Sequence, residues 1–168
     1  TDDILGCPIC EESLHQWSEE NQYFIAIRDS NIKQKVLGKV HGSIGTPKFF
    51  NIIHPTSFIA RNVKLGSGIC ILANSYIGPN TKIGNHTCIN TGCIVEHDCI
   101  IGENIFMGPR VSLAGNVQLK SETFVGMNAS ISENLIIAER TTIGASSLII
   151  SDISDPDRKV IGIPGKYI

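Results

Sequence analysis

The stretch IGPNTKIGNHTCINTGCIVEHDCIIGEN, residues 77–104, returns to an isoleucine or valine every sixth residue: Ile77, Ile83, Ile89, Val95, Ile101. Stepping by six in both directions, from Ile53 to Ile149, all 17 positions are Ile, Leu, Val or Met, with no insertion. The second slot of each hexad is Gly or Ala in 10 of the 17, as at Gly66, Gly78, Gly84 and Gly102. The fourth is Asn, Asp or Gly in 11, among them Asn62, Asn80, Asp98, Asn116 and Asn134. These residues tolerate a left-handed backbone and make tight corners. The fifth slot is mostly small or β-branched, as at Val63, Thr81, Cys99 and Val111. A helix would need a period near 3.6 and a hairpin strand a period of two, so each hexad reads as a short strand followed by a corner. Three hexads close one triangular coil. Seventeen make between five and six coils, a prism roughly 25–30 Å tall at about 4.8 Å per rung. The fold class is mainly β, a parallel β-helix built on hexapeptide repeats over residues 51–154, with a partial α/β unit before it.

Residues 1–50 have that different texture. Cys10 to Glu20 and Asp29 to Leu37 read as helices, Tyr23 to Ile27 as a buried strand, and Gly42-Ser43-Ile44-Gly45 as a linker turn. Residues 155–168 are a polar loop and a short closing segment. A solvated tail is one reading of it; Lys159, Arg158 and Lys166 meeting phosphates at the end of the prism is the other.

Composition excludes several classes. A net charge of −2 over 168 residues gives no basic surface for nucleic acid. No apolar run is long enough to cross a bilayer, and the first residues carry no secretion signal. The chain starts at Thr1, so part of an amino-terminal region is expected to be missing. Six cysteines suggest disulfides, but Cys93 and Cys99 fall in apolar slots where a cysteine is a small hydrophobe. Cys7 and Cys10 form a C-x-x-C with no second pair. Reduced thiols and a cytoplasmic location are the expectation.

One cluster stands out from the repeat. Glu96, His97 and Asp98 are adjacent in hexad slots two, three and four. Steps of 18 residues align His97 with Gly115, and Asp98 with Asn80 and Asn116. Asp98 is thus a corner residue by position, while Glu96 occupies a slot that is usually Gly or Ala. Flanking carboxylates would set the tautomer of His97, and Gly115 would leave room and a bare amide beside it.

The whole chain resembles the PglD/NeuD-like sugar acyltransferases of the hexapeptide-repeat superfamily. The matching segments are Ile53-His54-Pro55, Ile89-Asn90-Thr91-Gly92, Val95-Glu96-His97-Asp98-Cys99, Leu113-Ala114-Gly115-Asn116-Val117 and Gly162-Ile163-Pro164-Gly165-Lys166. The resemblance implies a left-handed coil and a homotrimer with sites between subunits. It implies acetyl-CoA as donor, no metal, and a sugar or nucleotide-sugar acceptor of bacterial-type surface glycan synthesis. It makes His97 the general base and Asp98 its orienting partner, both catalytic. Gly115, Asn90, Ala145 and Lys166 would bind the donor, with the Gly115 amide on the thioester oxygen. Glu96, Asp2, Asp3 and Phe106 would contact the acceptor. The family's opening strand and glycine-rich loop have no counterpart here. Phe106 stands where many relatives have His, Lys120 where glycine is usual, and Arg28 where the amino-terminal unit commonly has glycine.

Three competing readings remain at this point. The acceptor is either the amine of a nucleotide-linked 4-amino sugar or a hydroxyl of a sialic-acid-like sugar. A zinc enzyme would need three converging histidines, and His54, His86 and His97 lie in unlike slots. A non-catalytic trimeric β-helix scaffold would leave the cluster around His97 unexplained.

Overall fold

A computed structural model describes residues 3–4, 7–8 and 17–168. Three parallel sheets form the faces of a left-handed prism of about six turns. The first face runs through β5 (Ile52–Ile53), β8 (Cys70–Ile71), β11 (Cys88–Ile89), β14 (Phe106–Met107), β17 (Phe124–Val125) and β20 (Thr142–Ile143). The second holds β6 (Phe58–Ile59), β9 (Tyr76–Ile77), β12 (Ile94–Val95), β15 (Ser112–Leu113), β18 (Ser130–Ile131) and β21 (Leu148–Ile149). The third holds β7 (Lys64–Leu65), β10 (Lys82–Ile83), β13 (Ile100–Ile101), β16 (Gln118–Leu119) and β19 (Ile136–Ile137). Each strand pairs in register with the one 18 residues on, as Ile94 with Ser112 and Val95 with Leu113.

First-slot side chains point inward and are buried from Ile71 to Ile149, each worth about 1.5–3 kcal/mol. The fifth slot is also internal, which explains its small and β-branched residues. Several hydroxyls and thiols in this slot donate to a carbonyl 15 residues on: Ser75 to Asn90, Thr81 to Glu96, Thr87 to Gly102, Cys93 to Gly108, Cys99 to Ala114. These slot-five groups are therefore satisfied within the coil. Fourth-slot residues adopt left-handed φ of 54–69° from Asn62 to Ser146. His86, Arg110, Glu122 and Arg140 do so although their side chains disfavour it, held by the rungs above and below.

The amino-terminal part differs in detail from its expectation. β1 (Asp3–Ile4) and β2 (Cys7–Pro8) pair antiparallel. Most of the helix expected from Cys10 lies outside the described residues, and residues 17–20 are loop and turn. The expected strand at 23–27 is only β3 (Gln22–Tyr23), because its partner β4 (Lys48–Phe49) is itself two residues long. The second helix, α1 (Ser30–Ile44), runs through the expected linker turn and stops at Gly45, whose φ is 66°. Lys33, Leu37, Val40 and Ile44 are its buried stripe. That stripe outweighs the low helix propensity of Gly38 and Gly42 on the other side. The Asp29 carboxylate accepts from Ile32 N–H at 2.9 Å as the N-cap. Tyr23, Val40 and Ile44 make a small core with Trp17, Ile25, Val36 and Phe49. α1 docks on the prism through Lys33 Nζ to the His86 carbonyl (3.1 Å), Asn104 Nδ2 to Ser30 Oγ (2.6 Å) and Ser30 Oγ to Glu122 (3.1 Å).

At the other end, β22 (Lys159–Ile161) adds to the first face beside β20. β23 (Lys166–Tyr167) then folds back antiparallel onto it.

Candidate active site

The corner between the second and third faces carries His97 and Asp98. Asp98 has φ 59°, and its N–H donates to the Pro79 carbonyl at 2.9 Å, so the corner itself aims its carboxylate. Asn80 Nδ2 donates to Asp98 Oδ1 at 3.1 Å, and His97 Nδ1 lies 2.8 Å from Asp98 Oδ2. The His97 bond first, and the Asn80 bond second, hold the Asp98 carboxyl below the ordinary carboxylate range. An ionised carboxylate only accepts, so Nδ1 carries the proton. The lone pair of a neutral ring is then on Nε2. Both side chains are half-exposed, 59% and 51%, so Nε2 is open to a substrate.

Gly115 lies one coil on, beneath that ring. A Cβ there would stand 2.7 Å from His97 Cε1 and Nε2, so only glycine lets the imidazole lie in this place. The surrounding peptides are tied down: Cys99 Sγ donates to the Ala114 carbonyl at 3.3 Å, and Asn134 N–H to the Gly115 carbonyl at 3.1 Å. The Gly115 N–H itself donates to no group among the described residues. A basic nitrogen and a free amide thus flank one spot. Cys99 went unnoticed in the sequence as part of this arrangement. Its signal was the thiol in slot five, 15 residues before the carbonyl that it holds.

Glu96 lies beside the corner, on the second face. There a groove of about 310 Å³ is lined by Ile94, Glu96, Ser112, Ala114, Ser130 and Ser132. The serines and Ala114 keep its floor narrow and shallow-walled.

The other expected site residues are not brought to this corner within one chain. Asn90 follows β11 and belongs to the preceding corner, between the first and second faces, where its Oδ1 accepts from Thr91 N–H at 2.8 Å. Ala145 is exposed on that same corner, three coils further along. Lys166 is exposed on β23. Phe106 is on the first face, stacked on Phe124 with ring centroids 5.6 Å apart. Asp2 lies outside the described residues, and of Asp3 only the strand backbone is described. Cys7 and Cys10 carry no described side chains. Among the described residues no three His, Cys, Asp or Glu side chains converge as a metal-binding group, and His54, His86 and His97 sit in separate places.

Phe106 and Phe124 wall a larger cavity, of about 520 Å³, between the start of α1 and the first face. The Arg28 guanidinium lies over the Phe124 ring at 5.5 Å. Arg140 in this wall is held by Asp157 and Glu139, at 2.8 Å each, which raises its pKa. The pair of phenylalanines 18 residues apart was the sequence signal for this cavity.

No family model matches the sequence, and no curated protein sequence matches it. Solved structures do. PerB from Caulobacter crescentus, a structure in complex with CoA and GDP-perosamine, is 31% identical over 98% of this chain and 80% of its own, with a TM-score of 0.89. A mutant of GDP-perosamine N-acetyl transferase from the same organism, in complex with the same two compounds, is 29% identical over 100% and 80%, with a TM-score of 0.90. The acetyltransferase domain of PglB from Neisseria gonorrhoeae, 22% identical over 98% and 81%, has the same fold at a TM-score of 0.90. With its coils, its His97 corner and these relatives, the chain belongs to the hexapeptide-repeat family of acetyl-CoA-dependent sugar acetyltransferases.

Proposed function

We propose that the chain N-acetylates a nucleotide-linked 4-amino sugar, with His97 as general base. The observation that carries this is the His97 ring, fixed through Nδ1 by Asp98 and laid over Gly115. The 31%-identical relative binds CoA and GDP-perosamine, a nucleotide-linked amino sugar, which favours nitrogen over oxygen as the acceptor atom. The cellular role that fits is synthesis of a surface polysaccharide in the cytoplasm.

The acceptor amine attacks the thioester carbonyl carbon. His97 Nε2 takes the proton as the C–N bond forms, and Asp98 stabilises the imidazolium. The Gly115 N–H donates to the carbonyl oxygen as negative charge grows there. The C–S bond then breaks, and the proton on His97 is available to the departing thiolate. No side-chain nucleophile is needed, so the transfer is direct.

Asn90 and His97 flank the second face on opposite sides. In a homotrimer the Asn90 corner of one prism would meet the His97 corner of the next. Asn90 and Ala145 would then line the donor groove from a second subunit. Among the described residues no helix is long and apolar enough to cross a membrane.

The test is acetyl transfer from acetyl-CoA to nucleotide-linked 4-amino sugars and to sialic-type sugars, read as product mass. The expected result is one amide product from a nucleotide-linked amine, and a loss of about a hundredfold or more in His97→Ala. An ester product from a sialic-type sugar would replace the N-acetyl reading with the O-acetyl one. Full activity in His97→Ala would remove the base assignment.

A further inference from the structure

Two cysteines on the first face take no part in the acetyl site. Cys70 and Cys88 are register partners on the neighbouring strands β8 and β11. Their neighbours Ile71 and Ile89 point inward and are fully buried, so both thiols point outward, on one side. They are largely covered, Cys70 buried and Cys88 partly buried. Cys70 is 8% exposed, and a cavity of about 190 Å³ lies over the pair, walled by Phe24, Ile27, Lys33, Cys70, His86 and Cys88.

Lys33 sets the chemistry of this cavity. It is 3% exposed, and its Nζ donates to the His86 carbonyl. No carboxylate among the described residues pairs with it. Burial holds its pKa down, while Cys88 and Cys70 are the groups that favour its charged form. A buried ammonium needs a counter-ion, and the two thiols are the acids at hand. His86 cannot serve, because its charged form is itself a cation; burial first and Lys33 second lower its pKa. A hydrogen bond from Cys88, with the charge of Lys33, brings Cys70 down to about 7. Cys88 is pushed up correspondingly. Cys93 and Cys99, inside the coil, are raised to about 11.

We propose that Cys70 and Cys88 form a peroxide-reactive dithiol, in which Cys70 is the attacking thiolate, Lys33 its counter-ion and Cys88 the resolving thiol. The Cys70 sulfur attacks one peroxide oxygen, the O–O bond breaks, and the departing hydroxide takes a proton to become water. The sulfenic acid left on Cys70 is attacked by the Cys88 sulfur. The S–O bond breaks, and the hydroxyl leaves as water with the Cys88 proton. Two thiols and one hydrogen peroxide become one disulfide and two waters. Rungs about 4.8 Å apart lie within the Cα separation of a disulfide, so the coil need not open. The reaction is independent of acetyl transfer.

The experiment uses the full chain with Cys7→Ser and Cys10→Ser, which leaves the four thiols of the prism. Limiting hydrogen peroxide is added, and peptides are mapped without reduction. The expected product is a crosslink joining the peptides of Cys70 and Cys88, with Cys93 and Cys99 unmodified. In Cys88→Ser the reaction stops at a sulfenic acid on Cys70, trapped by dimedone. In Lys33→Met the rate at neutral pH falls about tenfold or more. Circular dichroism establishes that each variant is folded, and alkylation of Cys70 by iodoacetamide in the otherwise unaltered chain gives the same ranking of thiols without a substitution at Lys33. First modification at Cys93 or Cys99, an unchanged rate in folded Lys33→Met, or no reaction at peroxide levels that oxidise glutathione would overturn the proposal.

Discussion

At Gly115 one missing methyl group decides where an imidazole lies. Gly115→Ala would put a carbon 2.7 Å from His97 Cε1 and Nε2, so the ring must swing away from the free amide. The expected outcome is a fall in kcat of about a hundredfold with little change in Tm, checked by steady-state kinetics beside thermal denaturation. Unchanged kcat would mean that the ring does not need this place. His97, Asp98 and Gly115 were legible from the sequence, because adjacency and an 18-residue step fix neighbours in a coil. The two roles of Asp98 were harder to see. Its position on a corner column reads as structural, and only its second oxygen, taken by His97, makes it a partner. The membership of Asn90 in a different corner was also in reach: Asn90 and His97 belong to successive hexads, and successive hexads lie on different faces.

At the level of elements, the strands of the prism were legible because a six-residue period leaves no other solution. The amino-terminal unit was not, since its boundaries depend on partners. α1 outruns two glycines because Val40 and Ile44 have a core to enter, and β3 stops early because β4 is short. Slot five carries a consequence for pH. Cys93 and Cys99 have pKa raised by burial to about 11, against an ordinary 9.0. An unfolded chain releases these protons first, so their stabilisation is complete below pH 9 and is lost as pH rises through 11. Tm should therefore fall across that range. A Cys93→Val, Cys99→Val variant, with the residue that slot five has at Val111 and Val117, should lose less. Thermal denaturation followed by circular dichroism from pH 8 to 11 checks this. Parallel curves for the two proteins would show that the thiols carry no part of the alkaline loss.

For the whole molecule, the proposed sharing of a site between prisms can be tested by mixing. His97→Ala and Asn90→Ala chains are each expected to be slow as pure oligomers. If one site takes His97 from one subunit and Asn90 from the next, mixed oligomers regain intact sites. Refolding the two together would restore activity at about a quarter of the sites in a one-to-one mixture. No recovery would place both residues of a site in one subunit. The prism was legible as a rod, but its neighbours were not, because a hexad repeat makes all three faces alike in pattern.

The two ends of that rod are unlike. Among the described residues, β5, β6 and β7 are the first strands of their sheets, and Ile53 and Phe58 there are 40% and 59% exposed. At the far end β23 reverses direction against β22, which closes the first face with a strand that no parallel coil can follow. Stacked rungs are otherwise a template for their own extension, as in cross-β fibrils. On that face a further parallel rung has no edge of matching direction to join. The antiparallel turn-back from Lys159 to Tyr167 thus acts as a chain terminator for the first face.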